Sequence, residues 1–173
     1  MTSEPINPGQ WRLSFAEQEA AFIIHILAQL GRQYQEDPAK MSPATRAYWA
    51  GCISRGAAKD DEELKDAQEI LAETRSELRS QRLDLVENWI REYELAESRN
   101  PWLVEVTDAE RDEFVSMLND RRLLRALEIG VTETEMDADP VQIPEDFRRH
   151  AILEIDFLGH FIMAILGPQI HRP

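Results

Sequence analysis

The chain has 173 residues, enough for one compact domain, and its 43% hydrophobic and 30% charged residues are a globular composition that excludes wholesale disorder. Acidic residues outnumber basic ones 33 to 19, and the resulting net charge of -14 opposes nucleic-acid backbones and anionic lipid surfaces. A single cysteine, Cys52, excludes an internal disulfide framework, and Met1 to Gln10 has neither a basic start nor an apolar signal core, so the expected location is the cytoplasm.

Pro5, Pro8 and Gly9 predict an irregular N-terminal segment over 1–13. Ser14 and Glu17 stand at capping-box spacing and open a first helix, whose Phe22, Ile23, Ile26, Leu27, Leu30 and Tyr34 form one stripe that fades before Asp37-Pro38. Ser42-Pro43 starts a short second helix that ends near Gly56. A third begins among the acids Asp60 to Glu63, and no proline or glycine interrupts it before Pro101. Leu64, Leu71, Leu78 and Leu85 fall seven apart along it, but Ala67, Thr74, Gln81 and Asn88 are too polar for a coiled-coil seam, which predicts a bundle helix with one exposed face. Trp89 and Tyr93 add aromatic bulk near its end.

Thr107 and Glu110 form the next capping box, before a helix through Phe114, Met117, Leu118, Leu124 and Leu127 that stops at Gly130. Thr132 and Glu135 repeat the device for a short corner that ends at Pro140. The last helix starts near Pro144 and carries Ala151, Ile152, Ile155, Leu158, Ile162 and Ile165, with Phe157 and Phe161 widening the stripe up to Gly167-Pro168. Its apolar run and that of Phe22 to Leu27 are broken by Glu154, Asp156, His160 and His25, which excludes a membrane span. The predicted fold is therefore all-α, an irregular bundle of about five main helices plus the corner, with no sheet. It comprises the segment 1–13, a single domain over 14–168 and a tail over 169–173.

Four constellations bear on chemistry. His25, Asp156 and His160 are the metal-ligand candidates, since Asp156 and His160 share a helix face at four-residue spacing, as do His150 and Glu154, although paired helix polar groups explain them more simply. Ala126, Gly130, Val131 and Met136 have helix-turn-helix spacing behind Arg121, Arg122 and Arg125, but Glu133, Glu135, Asp137 and Asp139 occupy the segment that would face phosphates. Cys52 and Ser54 have no neighbouring histidine and read as packing residues. Trp49, Trp89, Tyr93 and Trp102 are an aromatic surplus, of which Trp89, Tyr93 and Trp102 are the candidates for anchoring a partner, with core packing as the plainer account.

The run Leu118-Asn119-Asp120-Arg121-Arg122-Leu123-Leu124, followed by Leu127, Gly130-Val131-Thr132 and a closing apolar helix, resembles an uncharacterised bacterial all-helical family of unknown function. The resemblance implies a helical fold with no assigned catalytic residue. Through genes that neighbour a protease adaptor, it also implies a regulatory role near controlled proteolysis. Taken together, the residues predict a non-enzymatic interaction or regulatory protein, with a protein partner or self-association, no cofactor and no catalytic set. The alternatives are a DNA-binding regulator built on the Gly130 corner and a metal-binding helical enzyme.

Overall fold

The computed structural model describes residues 1–50, 62–96, 100–132, 135 and 146–167. Strands β1 (Thr2–Asn7) and β2 (Gln10–Phe15) precede helices α1 (Glu17–Gln35), α2 (Pro43–Ala50) and α3 (Glu62–Leu95); strand β3 (Trp102–Thr107) then leads into α4 (Asp108–Ile129) and α5 (Asp146–Leu166).

The expectation of an all-α bundle is overturned. An antiparallel sheet of order β1-β2-β3 stands where residues 1–13 were read as irregular, and the fold is α+β. Pro5 demotes a strand to the edge of a sheet but does not forbid it, and β1 is an edge strand. Pro8-Gly9 forms the turn between β1 and β2, where Gly9 at φ 76° takes the left-handed step that proline-glycine turns need. Trp11, Leu13 and Phe15 alternate in β2, as do Trp102, Val104 and Val106 in β3, and all six are buried on one face. The two strands pair with Trp11 opposite Val106, Leu13 opposite Val104 and Phe15 opposite Trp102. Each half of this alternating pattern is short, and the halves lie about ninety positions apart (Leu13 and Val104), so no local hairpin signal announces the pairing. Ser14 consequently belongs to β2; α1 begins three residues later, where the Glu19 carboxylate accepts the Ala16 N–H at 2.8 Å.

Other boundaries follow their local chemistry. Ser42 caps α2 by accepting the Thr45 N–H at 3.1 Å, and Thr107 caps α4 by accepting the Glu110 N–H at 3.2 Å while Glu110 accepts the Thr107 N–H at 2.8 Å. Gly130, at φ 58° and ψ 48°, closes α4, with the Val131 N–H donating to the Ala126 carbonyl in a Schellman arrangement.

Helix α1 packs on α3, and α4 packs on α5 and against the sheet. Around Phe15, the core gathers Trp102 at 5.2 Å between ring centroids, Phe161 at 6.4 Å and Phe114 at 6.5 Å. The buried face of α3 is not the heptad of leucines: Leu71, Leu78 and Leu85 are half-buried, whereas Arg79, Arg82, Val86 and Trp89 are buried. Two arginines therefore sit in a stripe that hydrophobicity alone would assign to solvent.

Candidate functional site

Every sequence-derived candidate that falls on described residues has a definite place. Trp89 and Trp102 are buried in the core and Tyr93 is half-buried beside them: Trp89 stacks on Phe114 at 4.3 Å, and Tyr93 meets Trp102 edge-on at 5.2 Å. Their area is used between the sheet, α3 and α4. Cys52, Ser54, Glu133, Met136, Asp137 and Asp139 lie outside the described residues.

His25 and His160 do not meet. His160 is exposed on α5, its Nδ1 2.9 Å from the Asp156 carbonyl oxygen and 3.6 Å from the Asp156 carboxylate. It borders a shallow hollow with Asn119, Arg122, Gly159 and Met163. His25 lies across α1, its Nε2 2.5 Å from the Gln29 side-chain amide, and borders a different groove. Asp156 lines both depressions. Among the described residues, no group of three or more His, Cys, Asp or Glu side chains is placed to hold a metal ion.

Two of the three arginines before the Gly130 corner, Arg121 and Arg125, are engaged with acids. Arg121 pairs with Glu154 at 2.7 Å, and Arg125 pairs with Glu128 at 3.0 Å and Glu154 at 3.3 Å while lying over the Phe147 ring. Arg148 bridges the corner, donating to the Ile129 carbonyl at 2.8 Å and to the Glu135 carboxylate at 2.5 Å. The Thr132 backbone N–H, Arg148 and the Thr132 hydroxyl together hold Glu135 at a pKa of about 2, far below the ordinary carboxylate range.

Two further places emerge that sequence reasoning did not single out. The first is a closed polar centre around Asp120. Its carboxylate accepts hydrogen bonds from the Tyr48 hydroxyl at 2.6 Å and the Tyr34 hydroxyl at 3.2 Å, and it pairs with Arg82, which also pairs with Glu113. Burial, then the Asp120 charge and hydrogen bonds, push both tyrosines well above their ordinary value. For Arg82, burial works against the charge, but the Asp120 field and the Glu113 hydrogen bond outweigh it and raise the pKa. The centre ties α1, α2, α3 and α4 through one carboxylate, so its chemistry is cohesion.

The second is a groove between α1 and α5, with a volume of about 430 Å³, lined by Phe22, His25, Ile26, His150, Leu153 and Phe157 together with Glu154 and Asp156. Helix α5 is apolar over more of its circumference than its neighbours cover. Ala151, Ile152, Ile155 and Leu158 are buried, but Leu153 and Phe157 remain 44% exposed. Phe157 meets Phe22 of α1 edge-on at 4.8 Å and Phe161 at 5.0 Å, forming an aromatic floor that is open to solvent on one side. By helix geometry, Gln18, Ala21, Phe22, His25 and Gln29 share the bordering face of α1, and the small, exposed Ala21 leaves that edge of the floor low. Asp156 stands exposed on the opposite rim.

A family model described as a domain of unknown function, DUF2017, matches residues 3–164. The chain belongs to that family. The match reaches well beyond the last third that carries the Leu-Asn-Asp-x-Arg-Leu segment, and it takes in the sheet, so family membership and an α+β architecture go together here. No curated protein and no solved structure matches the chain. The segment that carried the resemblance proves to be the hub of the fold: Asp120 anchors the polar centre, Arg121 reaches α5 through Glu154, and Arg122 lies against Gly159 of α5.

Proposed function

We propose that this protein is a non-enzymatic, regulatory interaction module of the cytoplasm, and that it receives a basic amphipathic helix of a protein partner in the groove between α1 and α5. One observation carries the reading: Phe22, Leu153 and Phe157 are gathered into a single solvent-open aromatic and aliphatic floor. Contiguous apolar surface rimmed by polar groups is the usual signature of a protein-binding groove. Charge selects the occupant. Asp156 stands exposed on the rim, the described lining contains no lysine or arginine, and the chain as a whole carries -14. A helix with basic residues flanking its apolar stripe is therefore drawn in and an acidic one is repelled.

The metal-enzyme reading draws less support, because Glu154 is held by Arg121 and Arg125 and His25 and His160 border separate depressions. The DNA-reader alternative is weakened by the same ion pairs, which neutralise two of the three arginines it would use, Arg121 and Arg125.

Site-specific photo-crosslinking in cells tests the proposal. A photoreactive residue at position 153 is compared with one at position 103, where Leu103 is somewhat more open but sits on the outer face of β3. The expected result is an adduct from position 153 alone, joined to a basic amphipathic helix of another protein. An adduct with a second copy of this chain, equal yields from both positions, or no adduct from position 153 would each overturn the proposal.

A further inference from the structure

Three arginines surround a narrow slot between α2, the turn before it and the middle of α3. The slot has a volume of about 100 Å³ and is lined by Arg46, Arg75, Arg79, Trp49, Met41 and Ser76, with Pro38 and Ala72 at its edges. In a chain whose acids outnumber its bases 33 to 19, these guanidiniums form no ion pair with a carboxylate among the described residues. Backbone carbonyls hold them instead. Arg46 donates to Pro38 at 2.9 Å, Ala39 at 3.0 Å and Met41 at 3.3 Å; Arg75 donates to Tyr48; and Arg79 donates to Tyr34 at 2.7 Å, Glu36 at 2.6 Å and Gln33 at 3.3 Å. Carbonyl dipoles fix the direction of each guanidinium without cancelling its charge.

A second, independent observation concerns donors. Trp49 and Arg79 are 6% and 7% exposed, and both line the slot. The Trp49 Nε1 and the Arg79 Nε are buried N–H groups with no acceptor among the described residues. Leaving such a donor unanswered costs about 1–3 kcal/mol, and here two of them belong to residues of one slot. The Arg79 guanidinium lies over the Trp49 ring at 5.7 Å, which fixes the two groups relative to each other. Burial pushes the Arg79 pKa below its ordinary value, opposed by the nearby Glu36 charge and by Tyr34.

Three fixed guanidiniums without an ion-pair partner among the described residues, on side chains that share one small slot with two unanswered N–H donors, call for a ligand that is anionic and only accepts hydrogen bonds. We propose that this slot is an oxyanion site, taking a phosphate or carboxylate group on Arg46, Arg75, Arg79 and the Trp49 indole. Planar guanidinium forks are the side chains best matched to such groups, and a volume of this size admits one of them with little room to spare. The site lies on α2 and α3, away from the α1–α5 groove, and stands or falls independently of it.

The test is titration of the full chain with sodium phosphate and, separately, sodium acetate at fixed ionic strength, read by the NMR signals of the four tryptophan indole N–H groups. The expected result is a saturable shift of the Trp49 signal in one or both arms, with Trp11, Trp89 and Trp102 unmoved; the responding arm tells a tetrahedral from a planar ligand. Arg75→Gln weakens that response about tenfold, the loss of one charge-assisted contact. Ser76→Glu, which tethers a carboxylate at the slot, moves the Trp49 signal toward its bound position before any anion is added. A Trp49 signal that stays still in both arms, that moves equally with chloride, or that responds undiminished in both variants would overturn the proposal.

Discussion

The Asp120 centre and the α1–α5 groove invert the usual arrangement of a folded chain, one placing charge inside and the other placing phenylalanine outside. In the centre, Arg82, Asp120, Tyr34 and Tyr48 answer one another, and none of the four lines the groove, the hollow beside His160 or the slot between α2 and α3. In the groove, Phe157 and Leu153 stay 44% exposed and His25 and His150 line the wall beside them. A satisfied polar network rigidifies a fold, whereas uncovered apolar area remains available to a partner. The difference teaches where to look for function in a protein whose described residues bring together no metal-holding cluster: at the groove, where surface is left over.

The comparison breaks most visibly if Asp120 is dispensable. Asp120→Ala removes one of the two carboxylates that pair with Arg82 and leaves two tyrosine hydroxyls without their acceptor, and urea unfolding is expected to show a loss of about 3–5 kcal/mol. A loss below about 1 kcal/mol would mean that the centre is wet and open rather than closed.

Next in size is the sheet that flanks this closed side. Leu13→Ala empties a fully buried position and is expected to cost about 2–5 kcal/mol, while Leu103→Ala, on the exposed face of the neighbouring strand, should cost about 0.5 kcal/mol or less. Equal effects in thermal unfolding would place the alternation of β2 and β3 the wrong way round.

That alternation also shows what the sequence made legible. Helix starts marked by side-chain caps at Ser42 and Thr107 could be read directly, because a cap is a contact between residues three apart. The sheet could not, because Trp11-Leu13-Phe15 and Trp102-Val104-Val106 become a signal only when seen together, and Pro5 and Pro8 argue locally for irregular chain. Arg79 and Arg82 were hidden for a different reason: their burial depends on carbonyls and carboxylates contributed by α1 and α4. The groove was half visible. Phe157 stood out as surplus on α5, but the Phe22 and His25 that complete the wall belong to α1, and helix periodicity does not say which helices become neighbours.

On the open side, Leu153→Ala should change stability by about 0.5 kcal/mol or less, since the residue is held by the groove wall and not by the core. A larger loss would make Leu153 part of the scaffold and sharpen the groove down to Phe22 and Phe157.

The smallest effect is at the Thr132 corner. Glu135 is held at about 2, below its ordinary 4.5, so its contribution to stability is fully present above pH 4.5 and disappears as the pH falls toward 2. Thr132→Ala removes the hydroxyl partner, and carboxyl NMR is expected to show the Glu135 midpoint rising toward the ordinary value; an unmoved midpoint would assign the shift to Arg148 and the backbone alone.

The most direct measurement of the central contrast is a titration of the protein with a synthetic leucine-lysine amphipathic helix, followed through the histidine ring signals. His25 and His150, which line the groove, are expected to shift together and saturate, while His160, in the neighbouring hollow, stays in place. Movement of His160 alone, equal movement of all three, or no movement at saturating peptide would contradict that contrast.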